Sequence, residues 1–205
     1  MVSEQIARRG LCDPRLLHAF EEVPRHVFVP AEYRAYAHDD GPLPIGYGQT
    51  ISQPYIVALM TDLLNLTGGE RVLEVGTGSG YQAAILAYLA AEVHTVEIIP
   101  ELAERAEKAL HDLGLANVHC HRADGSLGWP QAAPYAGVMA TAAAPGVPPP
   151  LLDQLDEGGR LVLPVGGHGF QELEFWRRRG KDFEQQVITA VAFVPLRGKH
   201  GWNKR

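Results

Sequence analysis

The chain has 205 residues, 46% hydrophobic and 20% charged, the make-up of one globular domain with a full core. A formal net charge of −6 leaves no basic footprint for a phosphate backbone, and no apolar run approaches the ~18 residues of a membrane span, so neither a nucleic-acid nor a membrane partner is expected. The 2 cysteines, Cys12 and Cys120, fit no disulfide framework or zinc spacing, and Met1-Val2-Ser3-Glu4-Gln5 lacks a signal peptide's apolar core, so a reduced, cytoplasmic protein is expected.

Residues 1 to 30 read as helical and then irregular. Asp13-Pro14 is a helix start, with a capping side chain and proline at the first helical position, and Leu16, Leu17 and Phe20 supply the apolar stripe. Residues 39–54 mix glycines, prolines and apolar side chains. That is too irregular for a regular element and too apolar for a disordered linker, and ordered loops of such length tend to be functional. Ser52-Gln53-Pro54 opens a helix with Ile56, Leu59, Met60, Leu63 and Leu64 along one side. Thr50, Ser52 and the first free amides of that helix converge, a setting suited to an anionic group; Ser52 also fits a plain helix N-cap.

Arg71-Val72-Leu73-Glu74-Val75 then leads into Gly76-Thr77-Gly78-Ser79-Gly80, and the apolar run from Tyr81 to Leu89 reads as a helix. Strand, glycine turn and helix make the first crossover of a nucleotide-binding α/β sheet, because glycine supplies unusual φ values and lets a ligand approach the backbone. The spacing is Gly-x-Gly-x-Gly, not the Gly-x-Gly-x-x-Gly of most dinucleotide binders. The next strand, Glu92 to Glu97, ends in an acid placed to accept both hydroxyls of a ribose; a solvated carboxylate at a strand end is the plainer alternative.

Pro100 to Leu113 is an amphipathic helix, with Leu102, Ala106, Ala109, Leu110 and Leu113 inward and Gly114 as its stop. Strands follow at Asn117–His121 and Pro134–Thr141. A short helix surrounds Leu151, Leu152 and Leu155, and Gly158-Gly159 turns into the run Arg160–Val165. Phe170–Arg178 and Phe183–Val194 read as two strands joined at Gly180-Lys181. The expected fold is α/β: a Rossmann-like, mostly parallel sheet with helices on both faces, an antiparallel C-terminal hairpin and an N-terminal helical cap. A single domain is expected, with 1–65 as cap and loop and 66–205 as core.

Of the 9 histidines, His119 and His121 share a strand face, but two imidazoles are too few for a protein-bound zinc, and no metal is expected. Gly78-Ser79-Gly80 is not a nucleophile elbow. Arg177-Arg178-Arg179 reads as the solvated end of a strand, Trp129 and Trp176 as packing residues, and Trp202 as a loosely held tail residue.

The Glu74-to-Gly80 turn resembles motif I of S-adenosylmethionine (SAM) methyltransferases. With the loop Leu43-Pro44-Ile45-Gly46-Tyr47-Gly48-Gln49-Thr50-Ile51-Ser52-Gln53-Pro54 upstream, the chain resembles the protein-L-isoaspartate O-methyltransferases. Val23-Pro24-Arg25, Asp124-Gly125, Thr141-Ala142-Ala143-Ala144-Pro145 and Phe193-Val194-Pro195-Leu196 extend the likeness over nearly the whole chain. Two positions depart from it: Ala136 follows Tyr135, and Ile98 follows Glu97, where many members have an aspartate and a basic residue.

The resemblance implies a SAM-dependent enzyme that methylates the free α-carboxylate of isoaspartyl residues in damaged proteins and peptides. It implies a monomer with S-adenosylhomocysteine as the spent cofactor. It marks Ser52 as the active-site residue, with Asp40, Thr50 and Val194 beside the substrate. It places the cofactor on Gln53, Glu74, Gly76, Thr77, Gly78, Ser79, Gly80, Glu97, Asp124, Gly125 and Thr141, with Asp124 at the adenine amino group. Phe193 to Leu196 is expected to pair with the substrate backbone as an added strand. Other readings are a SAM methyltransferase for a small carboxylic acid or an RNA base, a binding module that has lost catalysis, and, least compatible with the glycine spacing, a nicotinamide dehydrogenase.

Overall fold

A computed structural model describes residues 1–167 and 169–202, so the last three residues of the tail lie outside the described residues. Helix α1 (Pro14–Glu22) starts where the Asp13 side chain accepts from the Arg15 amide at 2.8 Å, with Pro14 in the first turn, where its missing N–H costs nothing. A π turn (Val2–Ile6) and a 3-10 turn (Ala7–Arg9) precede it, and 3-10 turns at Arg25–Phe28 and Ala31–Tyr36 follow.

The loop expected to lack an element holds a small hairpin, β1 (Leu43–Gly46) and β2 (Gln49–Ile51), paired antiparallel. Tyr47 and Gly48 have φ of 55° and 70°, so the two-residue turn is of the primed kind whose twist suits paired strands. Ile45 and Ile51 are buried and pin the hairpin to the core. Helix α2 (Pro54–Leu64) follows. It buries Val57, Ala58, Met60, Thr61 and Leu64, while Ile56, Leu59 and Leu63 are only half-buried, so its inner face is turned from the expected one.

The main sheet has seven strands in the order β5-β4-β3-β6-β7-β8-β9. These are β3 (Arg71–Val75), β4 (Glu92–Glu97), β5 (Val118–Arg122), β6 (Tyr135–Ala140), β7 (Leu155–Gly167), β8 (Phe170–Arg179) and β9 (Asp182–Val191). β3 to β7 run parallel; β8 and β9 join antiparallel at one edge. Helices α3 (Tyr81–Ala87) and α4 (Pro100–Asp112) pack with α2 on one face, where Val72, Val93 and Met139 point. The short α5 (Pro149–Asp153) packs on the other, with Leu73, Val138 and Leu161. That split follows from the alternation of side chains along each strand.

Several expected boundaries move. Leu155 begins β7 instead of closing the short helix, and Gly158-Gly159 sits in an irregularity where Tyr135↔Leu155 pairing jumps to Gly137↔Arg160. β9 stops at Val191, and the segment after it returns to the sheet, with the Ala143 N–H donating to the Val194 carbonyl and the Leu196 N–H to the Ala143 carbonyl, each at 2.8 Å. Trp202 is anchored, not loose: its indole N–H donates to the Ala143 carbonyl at 3.0 Å. Of the three arginines ending β8 only Arg179 is exposed, and Arg178 donates to the Leu155 carbonyl at 2.6 Å.

Candidate active site

Chain leaves β3 toward β4 and leaves β6 toward β7, in opposite directions along the sheet. The crevice beyond the carboxyl ends of β3 and β6 is therefore the topological switch point where open α/β sheets bind ligands. The glycine turn lies there. Gly76, Gly78 and Gly80 have φ of 97°, 55° and 90°. A Cβ on Gly76 would meet the Thr141 hydroxyl at 2.6 Å, the oxygen that donates to the Gly76 carbonyl across the crevice at 2.6 Å. Only glycine fits this backbone and this approach.

A cleft of about 520 Å³ opens between Thr50, Gly76, Glu97, Gly125, Thr141 and the returning Val194–Arg197 segment. Glu97 is buried, its two oxygens accepting the Gly78 N–H at 2.8 Å and the Ile99 N–H at 2.9 Å. Both oxygens keep lone pairs for further donors. A smaller cleft of about 310 Å³ shares Thr50, Gly76, Gly78 and Thr141 with the first and adds Ser52, Glu74, Thr77, Ser79 and Tyr81. Glu74 is fully buried: one oxygen accepts the Thr95 hydroxyl at 2.5 Å, itself 2.6 Å from the Thr77 hydroxyl, and the other has no partner. Burial pushes its carboxyl up to about 8, and repulsion from Glu97 adds to this against the Thr95 hydrogen bond.

Ser52 lines the smaller cleft, one residue before the helix cap. The N-cap of α2 is Gln53, with no side-chain bond, so the plain capping reading of Ser52 does not hold. The Ser52 carbonyl accepts from the wholly buried Arg25 guanidinium at 2.7 Å, and the same group donates to the Ala37 carbonyl at 2.7 Å and lies 4.7 Å from the Tyr81 ring centre. Burial lowers the Arg25 pKa and raises that of Tyr81 to about 12. No spacing pattern singles out Arg25 or Tyr81, because both read as ordinary helix-end residues.

Other expected site residues lie outside these clefts. Asp40 accepts from Gln53 at 2.8 Å and pairs with Arg9, so the two form a bridge over the loop. Gly80 caps α3. Asp124 accepts the Ser126 amide and hydroxyl at 2.9 and 2.6 Å on one oxygen and the Lys199 N–H at 2.7 Å on the other, so the tail folds down onto it. Gly125, by contrast, lines the larger cleft and is forced, since a Cβ would meet Val75 at 2.7 Å.

His119 and His121 do share a face, and both neighbour His94, whose ring nitrogens lie 2.9 Å from His121 and 3.1 Å from Glu92. His121 stacks on Trp129 at 4.0 Å, and burial lowers its pKa to about 4. Among the described residues no group of three or more His, Cys, Asp or Glu is placed to hold a metal ion, and no helix is long and apolar enough to cross a membrane.

The family model described as Protein-L-isoaspartate(D-aspartate) O-methyltransferase matches residues 1–201. The chain belongs to this family. A protein-L-isoaspartate O-methyltransferase of Dictyoglomus thermophilum is 51% identical over 199 residues, covering 97% of this chain and 90% of its own. A solved protein-L-isoaspartate O-methyltransferase superposes with a TM-score of 0.90 at 28% identity, over 98% of this chain and 67% of its own. A Plasmodium falciparum chain of the same designation, in complex with S-adenosyl-L-homocysteine, shares the fold with a TM-score of 0.83 at 23% identity, over 96% of each chain.

Proposed function

We propose that this chain transfers a methyl group from S-adenosyl-L-methionine to the free α-carboxylate of L-isoaspartyl residues in damaged proteins and peptides. The observation that carries the reading is the meeting, in one crevice, of the loop at 43–54 with the glycine turn and Glu97, in a chain of this family. The residues present fit the cofactor: the glycine cradle would be filled by any Cβ at Gly76, Glu97 keeps lone pairs for hydroxyls, and Glu74, with one oxygen unpartnered, is among the residues around the adjoining cleft. Glu97 would hold the ribose, Gly125 and Asp124 the adenine, and Glu74, Thr77 and Ser79 the methionine end, with Gly76, Gly78 and Thr141 shaping the cradle. When bound, the cofactor supplies an activated methyl on a sulfonium.

The chain's own task is then small. An α-carboxylate with a pKa near ~3.5 is ionised at neutral pH, so no strong general base is needed. Ser52 and Thr50 orient the carboxylate and the closed crevice strips its water. Ser52 acts as an orienting hydrogen bonder, not a covalent nucleophile, and must not hold the oxygen so tightly that it loses nucleophilicity. Asp40 shapes the loop from behind through Gln53, and the free side of Val194 receives the substrate backbone. The methyl ester collapses to a succinimide, whose hydrolysis partly restores aspartate.

We read residues 1–205 as one domain and the protein as a cytoplasmic monomer whose partners are isoaspartyl proteins and peptides, not nucleic acid or membrane; the net charge of −6 supports the exclusion of nucleic acid. The test is methyl transfer to an isoaspartyl peptide and its normal aspartyl twin. The isoaspartyl peptide is expected to be the far better substrate, with a label released as methanol on mild alkaline treatment. Equal rates on the twins, or an alkali-stable label, would refute the assignment.

A further inference from the structure

Glu74 is a side chain of the crevice whose surroundings do not match its usual charge. It is the last residue but one of β3, fully enclosed, flanked by Thr95 of β4 on one side and Met139 of β6 on the other. Its nearest titratable neighbours are Glu97 at the end of β4, Cys120 on β5 and Tyr81 at the start of α3, with Arg25 beyond the Tyr81 ring. None of these offsets a negative charge. Glu97 repels it; burial raises both Cys120 and Tyr81 to about 12, so they stay neutral; and Arg25 bonds the carbonyls of Ala37 and Ser52 through Nε and one Nη, its other Nη unpartnered, while the Tyr81 ring stands between it and Glu74. A carboxyl so enclosed, with one oxygen on Thr95 and the other without a partner, keeps its proton.

Glu74 is among the residues around the cleft where the reading above puts the methionine end of the cofactor, which carries an ammonium and a sulfonium. We infer that Glu74 couples capture of the cationic cofactor to release of one proton, the Glu74 O–H bond breaking, its proton passing to solvent and the carboxylate left facing the incoming cation. The inference rests on the proposed SAM site. A glutamine here would satisfy Thr95 equally well but would offer the cation no compensating charge.

The test is calorimetric titration of the purified full chain with SAM between pH 6 and 7, in buffers of different ionisation enthalpy. In this window the cofactor's own α-ammonium, with a pKa near ~7.7–8.0, stays charged. Wild type is expected to release close to one proton per SAM bound, and its dissociation constant to tighten about tenfold over that one pH unit. Glu74→Gln is expected to bind more weakly, release no proton and lose the pH dependence. The wild-type slope stands as evidence even where the variant does not fold. Wild-type enthalpy equal in all buffers, or undiminished proton release by Glu74→Gln, would overturn the inference while leaving the SAM site intact. Absence of SAM binding would instead overturn the site reading, and the inference with it.

Discussion

Replacing Glu97 by alanine tests the cofactor site most directly. The structure separates two costs. The first falls on the protein alone: the Glu97 oxygens accept the amides of Gly78 and Ile99 at 2.8 and 2.9 Å. The Gly78 amide borders the open cleft and regains water, but the Ile99 amide is enclosed, and a buried donor without an acceptor costs about 1–3 kcal/mol. For a chain of this size that corresponds to a fall in Tm of roughly 2–12 °C. The second cost falls on the complex. Two charge-assisted bonds to ribose hydroxyls, less the water those hydroxyls recover, leave about 2–3 kcal/mol, or a roughly 30- to 150-fold weaker Kd. Calorimetry on the folded variant, with a melting curve of the ligand-free protein beside it, reads the two separately. A lowered Tm with unchanged SAM affinity would mean that Glu97 only ties Gly78 to Ile99, and the ribose assignment would fall.

Ser52→Ala should leave SAM binding nearly intact and slow turnover by roughly 5- to 150-fold, the worth of an orienting hydrogen bond of about 1–3 kcal/mol; an equal loss of SAM affinity would assign Ser52 to the cofactor instead. Asp124→Ala removes an acceptor from the Lys199 amide and, on the proposed site, from adenine, so weaker SAM binding should come with faster proteolysis of the tail; a tail cut at the wild-type rate would refute that coupling. At saturating SAM the rate on an isoaspartyl peptide should stay flat from about pH 6 to 8, because the nucleophile's pKa near ~3.5 lies far below; a rise of one decade per pH unit would mean that a base is required. His121 has its pKa lowered from 6.5 to about 4 in the folded chain, so it binds fewer protons folded than unfolded between those values; its contribution is full above pH 6.5 and is lost as the pH falls toward 4. The urea midpoint should show a shallower loss over that window in His121→Gln, and an unchanged profile would show that His121 does not link folding to protons.

Where a local rule dictates structure, the sequence was readable. The β-branched run Glu92 to Glu97 is strand β4 with the same ends, and the glycines at 76, 78 and 80 all occupy positive φ between β3 and α3. Asp13-Pro14 starts α1 because both features act within a single turn. Long-range contacts decide the rest. The Tyr47-Gly48 turn makes a hairpin only because Ile45 and Ile51 find the core, and Tyr47 takes a left-handed φ that its side chain gives no reason to expect. The helix α2 face was misjudged because its neighbours are nearly all apolar, so the periodic signal is weak and packing chooses the buried side. Nothing in the sequence around Arg25 marks its burial, which comes from the carbonyls of Ala37 and Ser52 that the fold brings to it. The tail from Leu196 to Trp202 carries no period at all, yet its backbone amides reach Asp124 and Ser126.

The two acids of the crevice divide its labour through their backbone surroundings. Glu97 ends its strand, where the sheet has run out and the amides of Gly78 and Ile99 point at its two oxygens. Glu74 is the last residue but one of its strand, paired on both sides with Thr95 and Met139, and the one donor its carboxyl meets among the described residues is the Thr95 hydroxyl. Position along a strand thus sets which acid meets two backbone donors and which is left with a single hydroxyl. The same logic explains why a site for methyl transfer to a carboxylate needs so little machinery. Its nucleophile arrives charged and the leaving sulfur starts cationic; on the inference for Glu74, the remaining electrostatic work is to seat that cation beside a carboxyl group held neutral until the cofactor comes.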